Sequence, residues 1–169
     1  MDLGRYFDAF GSLILGLGDA RYEGEVAFRW NMVADDEERG RYPVVIRDGA
    51  EPWEVDMRPA VKAAIGDLMA GRPASTISAR FHNTVAAVTI ELAEAALASR
   101  GAMPVVLSGG CFQNARLAES VIKGLPQVLM NRDVPPGDGG IALGQAFVAE
   151  ATLHSERRKT VAQETPVCA

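Results

Sequence analysis

The sequence predicts a mixed α/β fold, because short buried strands are followed by tight glycine turns and then by amphipathic helices. Residues 105–107, Val-Val-Leu, form an apolar run typical of a buried strand, and Gly109 and Gly110 end it with a turn. The helix that follows has one apolar face, made by Leu117, Ala118, Val121, Ile122 and Leu125. Residues 138–140, Asp-Gly-Gly, introduce a second, small-residue helix in the same way.

Length, composition and charge exclude several classes of protein. A chain of 169 residues suits one domain, or one lobe of a larger domain, and 17 basic against 22 acidic residues give a net charge of −5. No basic cluster follows a helix or loop, so we expect no nucleic-acid partner. No apolar run reaches the length of a membrane span, and Asp2 and Asp8 interrupt any signal peptide. We therefore expect a cytoplasmic protein without membrane contact.

The N-terminal part of the chain is predicted to contain a helix, a charged loop and two short strands. A helix over residues 3–17 has an apolar face formed by Tyr6, Phe7, Phe10, Leu13, Ile14 and Leu17. The charged segment at residues 35–41, DDEERGR, is interpreted as a solvated surface loop. Two short strands are expected at residues 43–46 and 53–57, with Asp48 and Gly49 in the turn between them.

The remaining elements follow from turn residues and apolar spacing. Pro59 opens a helix that reaches Met69, and the Gly-Arg-Pro sequence at residues 71–73 ends it. Residues 75–99 show the clearest amphipathic stripe, which predicts a long helix. A further strand at residues 127–130 leads into a loop at residues 131–137. Residues 154–169 turn polar and are expected to form a frayed helix end and a flexible tail, so the folded lobe is assigned to residues 1–153.

Two turns carry candidate binding groups, each with a structural alternative. Backbone N–H groups at Gly109 and Gly110 precede a helix, an arrangement that suits phosphate, but any α/β domain uses such tight turns. Asp138 lies at a helix start, where it is either an N-cap or a carboxylate ligand for a metal near a phosphate. Gly24 permits close backbone approach to a nucleotide, and Glu25 or its neighbour Glu23 either faces that nucleotide or favours the helix dipole.

Histidine and cysteine are too few to build a metal cluster. His82 lies next to the stripe of the long helix and is interpreted as a packed or hydrogen-bonded core residue. Asn83 beside it holds either a loop or a phosphate. Cys111 is interpreted as a small buried hydrophobe, and Cys168 as part of the tail.

Five ordered blocks resemble one known family. SGGCFQN at residues 108–114, followed by PPGDGGIALGQA at residues 135–146, resembles the C-terminal end of the HypF family, carbamoyltransferases that help build the cyanide ligands of [NiFe]-hydrogenases. The resemblance extends upstream in the same order, through YEGEVAFR, WEVDMRP and ARFHNTVAA, which begin at residues 22, 53 and 79. It covers the chain from about Gly4 to about Ala151.

This resemblance implies a fold, a ligand and site residues. The fold would be a single lobe of the actin-like, hexokinase-like (ASKHA, Kae1-like) α/β architecture with a helical insertion. Gly109, Gly110 and Asn114 would line the pocket for ATP or carbamoyl-adenylate, and Asp8 would contact the ribose. Asp138 would bind a divalent metal, Fe, Zn or Mg. The carbamoyl acceptor would be the C-terminal cysteine thiol of a HypE-like partner.

The resemblance also implies that the site is incomplete. HypF-like chains carry further modules before this region, including the first lobe of the Kae1-like domain, whose histidine pair completes the metal site. We therefore expect a metal only together with that lobe, and the sequence assigns no catalytic residue. Three functions remain open. The chain is half of a carbamoyltransferase site that needs a second lobe, or a non-catalytic nucleotide-binding or assembly module, or a small-molecule O-carbamoyltransferase lobe. A lone lobe would expose an apolar face and could form a homo-oligomer through it.

Overall fold

The computed structural model of this chain describes residues 3–48 and 52–164 and is mixed α/β with a predominance of helix. Its helices are α1 (Leu3–Leu15), α2 (Glu25–Met32), α3 (Arg58–Met69), α4 (Ala74–Arg100), α5 (Ala115–Gly124) and α6 (Ile141–Glu164). Its strands are β1 (Val45–Arg47), β2 (Glu54–Asp56), β3 (Val105–Leu107) and β4 (Val128–Met130). The predicted elements before residue 131 are confirmed, with ends that shift by one or two residues. Gly49, assigned to the turn between the first two strands, lies outside the described residues.

The strands form two separate pairs. β1 and β2 are an antiparallel pair in which Ile46 lies opposite Val55, whereas β3 and β4 are parallel. In the parallel pair, Leu107 is buried against the core. Side chains alternate between the faces of a strand, so Val106 and its partner Leu129 lie on the outer face. The β3–β4 pair therefore rests on the core through one face only.

The core is centred on aromatic side chains from α1, α2 and α4. The rings of Phe7 and Phe81 meet edge to face with centroids 5.0 Å apart, and Phe10 approaches Phe81 to 4.4 Å. Trp30 and Phe81 are completely buried. Such aromatic contacts are favourable beyond the area that they bury. This cluster fixes α1 and α2 against the N-terminal half of α4.

A close helix contact explains one glycine of α1. A Cβ built on Gly11 would lie 2.6 Å from Cγ1 of Val26 and 3.2 Å from Cβ of Trp30. Real Cβ atoms do not tolerate the first distance, so α1 packs on α2 at this separation only because residue 11 has no side chain.

The charged segment at residues 35–41 is held to the protein more firmly than a solvated loop would be. The Asn83 side chain donates hydrogen bonds to the backbone carbonyls of Glu38 and Gly40, at 2.9 and 3.1 Å. Arg80 pairs with the Glu38 carboxylate at 3.3 Å. The interpretation as a solvated loop is therefore wrong for this part of the segment, and Asn83 holds a loop.

A second group of polar contacts joins α3 to α4. Asp67 accepts hydrogen bonds from the Tyr42 hydroxyl and from Arg80, both at 2.9 Å. Burial favours the neutral acid, but these two hydrogen bonds, together with the positive charges of Arg80 and Arg72, outweigh it and lower the pKa of Asp67. The helical segment between β2 and β3 is thus fixed to the core by charge as well as by apolar packing.

The last helix extends further than the sequence pattern indicated. α6 continues to Glu164, while Cys168 and the rest of residues 165–169 lie outside the described part. The boundary at residue 153 and the flexible tail stay predictions. In the residues that the structure describes, no helix has both the length and the apolar character required to cross a membrane.

Candidate functional site

The site is built around the turn that follows β3. Gly109 adopts φ 100°, a conformation that favours glycine, and the chain then makes one 3₁₀ turn over Gly110–Gln113. The N–H of Gly109 donates to the carbonyl of Pro136 at 2.6 Å. This bond ties the end of β3 to the loop that precedes Asp138. It also means that the Gly109 N–H already has a protein acceptor, and the N–H groups of Phe112 and Asn114 likewise donate to the carbonyls of Gly109 and Cys111.

Asn114 ends this turn and starts α5. Its side-chain oxygen Oδ1 accepts a hydrogen bond from the N–H of Leu117 at 3.1 Å, which makes Asn114 the N-cap of the helix. Capping of this kind contributes about 1 kcal/mol to helix stability. The cap occupies Oδ1, so Nδ2 is the part of the amide left to donate to a ligand.

A cleft beside α2 brings together three of the predicted nucleotide residues. This α2 cleft has a volume of about 230 Å³ and is lined by Phe7, Gly24, Ala27, Phe28, Asn31, Gly110, Gln113 and Asn114. Gly24 is far from Gly110 and Asn114 in the sequence, yet all three border the same space. Gly24 has φ 81°, and an added Cβ there would meet no atom within 4 Å, so the backbone is open to a ligand.

A second cleft lies on the other side of the turn. This Asp138 cleft has a volume of about 350 Å³ and is lined by Ser108, Gly109, Asn131, Pro135, Pro136, Gly137, Asp138, Gly140 and Ile141. The loop at residues 131–137 packs directly on the turn, since a Cβ on Gly137 would lie 3.3 Å from the Cα of Gly110. Gly109 and Gly110, which are consecutive, therefore each border a different cleft.

Asp138 is exposed and lies inside a short 3₁₀ turn, Asp138–Gly140, whose capping residue is Gly137. Within the described residues, no hydrogen bond or ion pair engages its carboxylate, and no group of three or more His, Cys, Asp or Glu side chains could hold a metal. One carboxylate does not make a metal site. The residues present therefore do not fit a metal by themselves, and Asp138 is a ligand only if further groups come from elsewhere.

Two predicted site residues lie outside both clefts. Asp8 is exposed on α1, next to Phe7, and does not line the α2 cleft. Glu25 is buried and its carboxylate is paired with Arg21 at 2.8 Å and with Arg29 at 2.7 Å. Hydrogen bonds from the Arg21 side chain and from its backbone N–H lower the pKa of Glu25 to about 2. Ligand roles for Asp8 and Glu25 stay predictions, and the structure gives Glu25 a structural function at the start of α2.

His82 lies in the aromatic core and not in a cleft. Its Nδ1 is 2.8 Å from the backbone carbonyl of Ser78, so Nδ1 carries the hydrogen, and Nε2 is buried without a hydrogen-bond partner in the described part of the chain. Burial lowers the pKa of His82 to about 4. These facts support the structural interpretation made from the sequence.

Comparison with known proteins identifies the family. Residues 2–145 match the model described as carbamoyltransferase, Kae1-like domain, second subdomain. The chain belongs to the HypF carbamoyltransferase family. It is 36% identical to the carbamoyltransferase HypF of Rhodobacter capsulatus over 156 residues, which are 90% of this chain and 20% of the relative. It is 30% identical to the carbamoyltransferase HypF of Synechocystis over 148 residues, which are 85% of this chain and 18% of that relative.

A solved structure gives the same assignment. The crystal structure of full-length HypF in the phosphate- and nucleotide-bound form superposes with a TM-score of 0.80 at 36% identity, covering 90% of this chain and 20% of that one. The Kae1-like fold expected from the resemblance is therefore confirmed. The chain spans about a fifth of the length of these HypF relatives.

One residue that lines the α2 cleft, Phe28, was not predicted from the sequence. Phe28 is largely exposed and lines this cleft, although the apolar pattern of α2 alone does not distinguish it from a core residue. Phe28 lies four residues after Gly24 in YEGEVAFR, and residues four apart on a helix share a face. This spacing could have indicated that Phe28 borders the same cleft as Gly24.

Proposed function

We propose that this chain forms the second half of a HypF-like carbamoyltransferase site, which binds ATP or carbamoyl-adenylate and helps to transfer the carbamoyl group to a HypE-like acceptor. The observation that carries the proposal is the pair of clefts around the Gly109–Gly110 turn. Gly24, Gly110 and Asn114 border one cleft, and Gly109 and Asp138 border the other. These residues were predicted from the sequence, most of them also from the family resemblance, and distant parts of the chain bring them together.

The α2 cleft and the turn at its border suit different parts of an adenylate. The α2 cleft offers the exposed ring of Phe28, an open glycine backbone at Gly24 and the amide of Asn114, which suit a base and its ribose. The turn at Gly110 begins a 3₁₀ segment that runs into α5, and backbone N–H groups at such a start favour a phosphate. A HypF relative that superposes on this chain has been crystallised in a phosphate- and nucleotide-bound form, which supports a nucleotide as the ligand.

The proposed transfer is a substitution at the carbamoyl carbon. The cysteine thiolate of the HypE-like acceptor forms a C–S bond, and the C–O bond to the adenylate phosphate breaks. AMP leaves with the electron pair on its phosphate oxygen, and the product is a thiocarbamate. This chain would hold the adenylate so that the negative charge developing on the leaving oxygen faces backbone donors of the turn. No step is assigned to a metal, because the described residues do not build a metal site.

One observation favours a non-catalytic alternative. Asp138 has no neighbouring metal ligands within the described residues, so the chain would bind a nucleotide without transferring anything unless a second lobe completes the site. A nucleotide-binding or assembly module would then be the better account. A small-molecule O-carbamoyltransferase lobe differs from the leading proposal only in the acceptor.

Calorimetric titration of the chain with ATP, with and without Mg²⁺, tests the proposal. We expect saturable binding in the wild-type chain. Asn114→Ala removes the amide from the α2 cleft and should weaken binding at least tenfold in both conditions. If the ATP phosphates supply the further ligands that the chain lacks, Asp138→Ala should weaken binding only when Mg²⁺ is present, because without the metal a carboxylate near phosphates repels them.

The matched control is Asp133→Ala, which removes an exposed carboxylate from the loop that leads to Asp138. It should leave ATP affinity unchanged. Absence of ATP binding by the wild-type chain in both conditions would refute the proposal that this chain carries a nucleotide half-site. Binding that Asn114→Ala leaves unaltered would place the nucleotide elsewhere.

A further inference from the structure

Arg116 lies in the first turn of α5, where a cation is normally unfavourable. Asn114 is the N-cap of this helix, and Arg116 is its second residue. The helix dipole places partial positive charge at this end, which opposes an arginine. The Arg116 side chain is nevertheless only 19% exposed, so it is held against the protein and does not extend into solvent. A largely buried arginine at an unfavourable helix position indicates compensating contacts elsewhere.

The Arg116 guanidinium finds those contacts just beyond the end of α2. Nη2 donates to the carbonyl of Ala34 at 3.1 Å, and Nη1 donates to the carbonyl of Asp35 at 3.4 Å. The guanidinium also pairs with the carboxylate of Asp36. α2 ends at Met32, so these acceptors follow a helix end whose dipole favours a cation. Arg116 therefore ties the start of α5 to the end of α2.

The two elements joined in this way both line the α2 cleft. α2 contributes Phe28 and Asn31 to the lining, and Asn114 contributes the amide that caps α5. Asn31 also borders a neighbouring polar cleft, and Arg116 is part of the lining of that neighbour. Arg116 itself does not line the α2 cleft. Its contacts thus join two parts of the cleft from outside the volume that a ligand would fill.

Each cleft amide is a short step from the guanidinium. The carbonyl of Ala34 accepts from Arg116, and the N–H of the same residue donates to the carbonyl of Asn31 at 3.1 Å. On the other side, Arg116 belongs to the helical turn that Asn114 closes through its hydrogen bond from Leu117. One side chain therefore links the backbone positions of Asn31 and Asn114, which are far apart in the sequence.

The segment that receives Arg116 is itself fixed to α4. The N–H of Asp35 donates to the carbonyl of Ser75 at 3.1 Å, and Asn83 holds the carbonyls of Glu38 and Gly40. The carbonyls that Arg116 reaches are thus held in place by other contacts. A guanidinium presents several donors in a planar fork, so contact with several fixed acceptors also fixes the turn from which it comes.

We propose that Arg116 is a positioning residue for the α2 cleft, which holds Asn31 and Asn114 at the separation required by the base and ribose of the nucleotide. This inference deepens the proposed function and rests on it for the identity of the ligand. Without the guanidinium, the end of α2 and the start of α5 would adopt a range of separations. The apparent affinity then falls in proportion to the fraction of molecules that keep the competent arrangement.

Titration with ATP and with adenosine separates positioning from charge. Arg116→Gln removes the fork and should weaken the binding of both ligands about tenfold, as expected when about one molecule in ten keeps the competent cleft. Adenosine has no phosphate, so a lost attraction between the guanidinium and the phosphates would weaken ATP binding alone. Arg116→Lys keeps the charge but cannot meet several acceptors as a fork, so it should also weaken both ligands.

The matched control is Arg80→Gln. Arg80 is 23% exposed and also holds the segment at residues 35–41, but it does so from α4 through Glu38 and does not join α2 to α5. The control should lower the free energy of unfolding and leave the affinities for ATP and adenosine unchanged. Urea unfolding of every variant shows whether it is folded under the titration conditions. If Arg116→Gln does not fold, Arg116→Lys carries the test with the same two ligands.

Four results would overturn the inference while ATP binding by the wild-type chain stands. The first is unchanged binding of both ligands by the Arg116 variants. The second is a loss for ATP alone that Arg116→Lys restores, which would be an effect of charge. The third is an equal loss in Arg80→Gln, which would be an effect of stability. The fourth is ATP binding without adenosine binding, because the cleft would then not recognise base and ribose. If the wild-type chain binds neither ligand, the proposed function fails together with this inference.

Discussion

The neutral, buried His82 should make the stability of this protein fall between pH 7 and pH 5. His82 is 1% exposed, and its surroundings include Phe7, Trp30 and Phe81. Burial is the main reason why its pKa falls from 6.5 to about 4, while the hydrogen bond to Ser78 opposes the change. In the unfolded chain the imidazole keeps its ordinary pKa. The unfolded state therefore binds a proton in a pH range in which the folded state does not.

The sign and size of the effect follow from these two values. The folded pKa of His82 is depressed, so its contribution is fully present above pH 6.5, declines as the pH falls, and levels off below pH 4. Between pH 7 and pH 5 the linkage relation gives a loss of about 2 kcal/mol in the free energy of unfolding. Carboxylates with lowered pKa values contribute mainly below this window, so the histidine dominates within it.

Urea unfolding followed by circular dichroism at pH 7, 6 and 5 measures this loss. His82→Leu has a side chain of similar size without a titrating group, and the variant should lose much less stability across the same range. The two proteins are compared by the slope of their unfolding free energy against pH, so a loss of stability that is the same at every pH does not affect the result. A wild-type stability that stays constant from pH 7 to pH 5, or a variant with the same slope, would refute the reasoning.

Three further predictions concern packing, charge and capping. Gly11→Ala should lower the free energy of unfolding by about 1–3 kcal/mol because its Cβ would collide with Val26, whereas Gly66→Ala, on an open face of α3, should raise it by up to about 1 kcal/mol. The Glu25 carboxylate has a lowered pKa, so its charged form stabilises the fold above pH 4.5 and this contribution is lost as the pH falls to 2. Glu25→Gln removes the contribution, so the variant should lose less stability than the wild-type chain over this range. Asn114→Ser should keep the α5 cap but weaken ATP binding, whereas Asn114→Ala should also cost about 1 kcal/mol of stability.

The checks on these predictions are separate. Thermal unfolding distinguishes the two glycine substitutions, and equal effects at both positions would contradict the packing argument. Acid titration of the Glu25 variant should give a shallower curve, and an unchanged curve would show that its pairing with arginine adds nothing to stability. If the Asn114→Ser variant bound ATP as well as the wild-type chain, capping would be the whole function of that residue.

Local patterns predicted most of the secondary structure. The strand at residues 105–107 was predicted at its observed bounds, because an apolar run and a glycine turn are both local signals. The long helix α4 was likewise evident from its stripe and from the proline and glycine at its ends. These elements depend on residues close in sequence, which is why reasoning from the sequence located them.

Features that depend on distant contacts were not predictable in this way. The loop at residues 35–41 looks solvated in the sequence, but Asn83 and Arg80 hold it from α4. The sequence alone does not distinguish Glu25 from an acid that faces a ligand, and only the structure shows that two arginines pair with it. The local pattern suggested Gly24 and Gly110 as nucleotide residues with a structural alternative for Gly110, and Asn114 was predicted only through the family resemblance. Their common cleft comes from the packing of α1, α2 and the turn after β3.

The Gly109–Gly110 turn belongs to both clefts, because Gly109 lines the Asp138 cleft and Gly110 lines the α2 cleft. Consecutive Cα atoms are held about 3.8 Å apart by a planar peptide, so the two linings are joined by one rigid unit. The hydrogen bond from Gly109 to Pro136 also ties this unit to the loop that leads to Asp138. A displacement of the turn would therefore change the shape of both clefts at the same time.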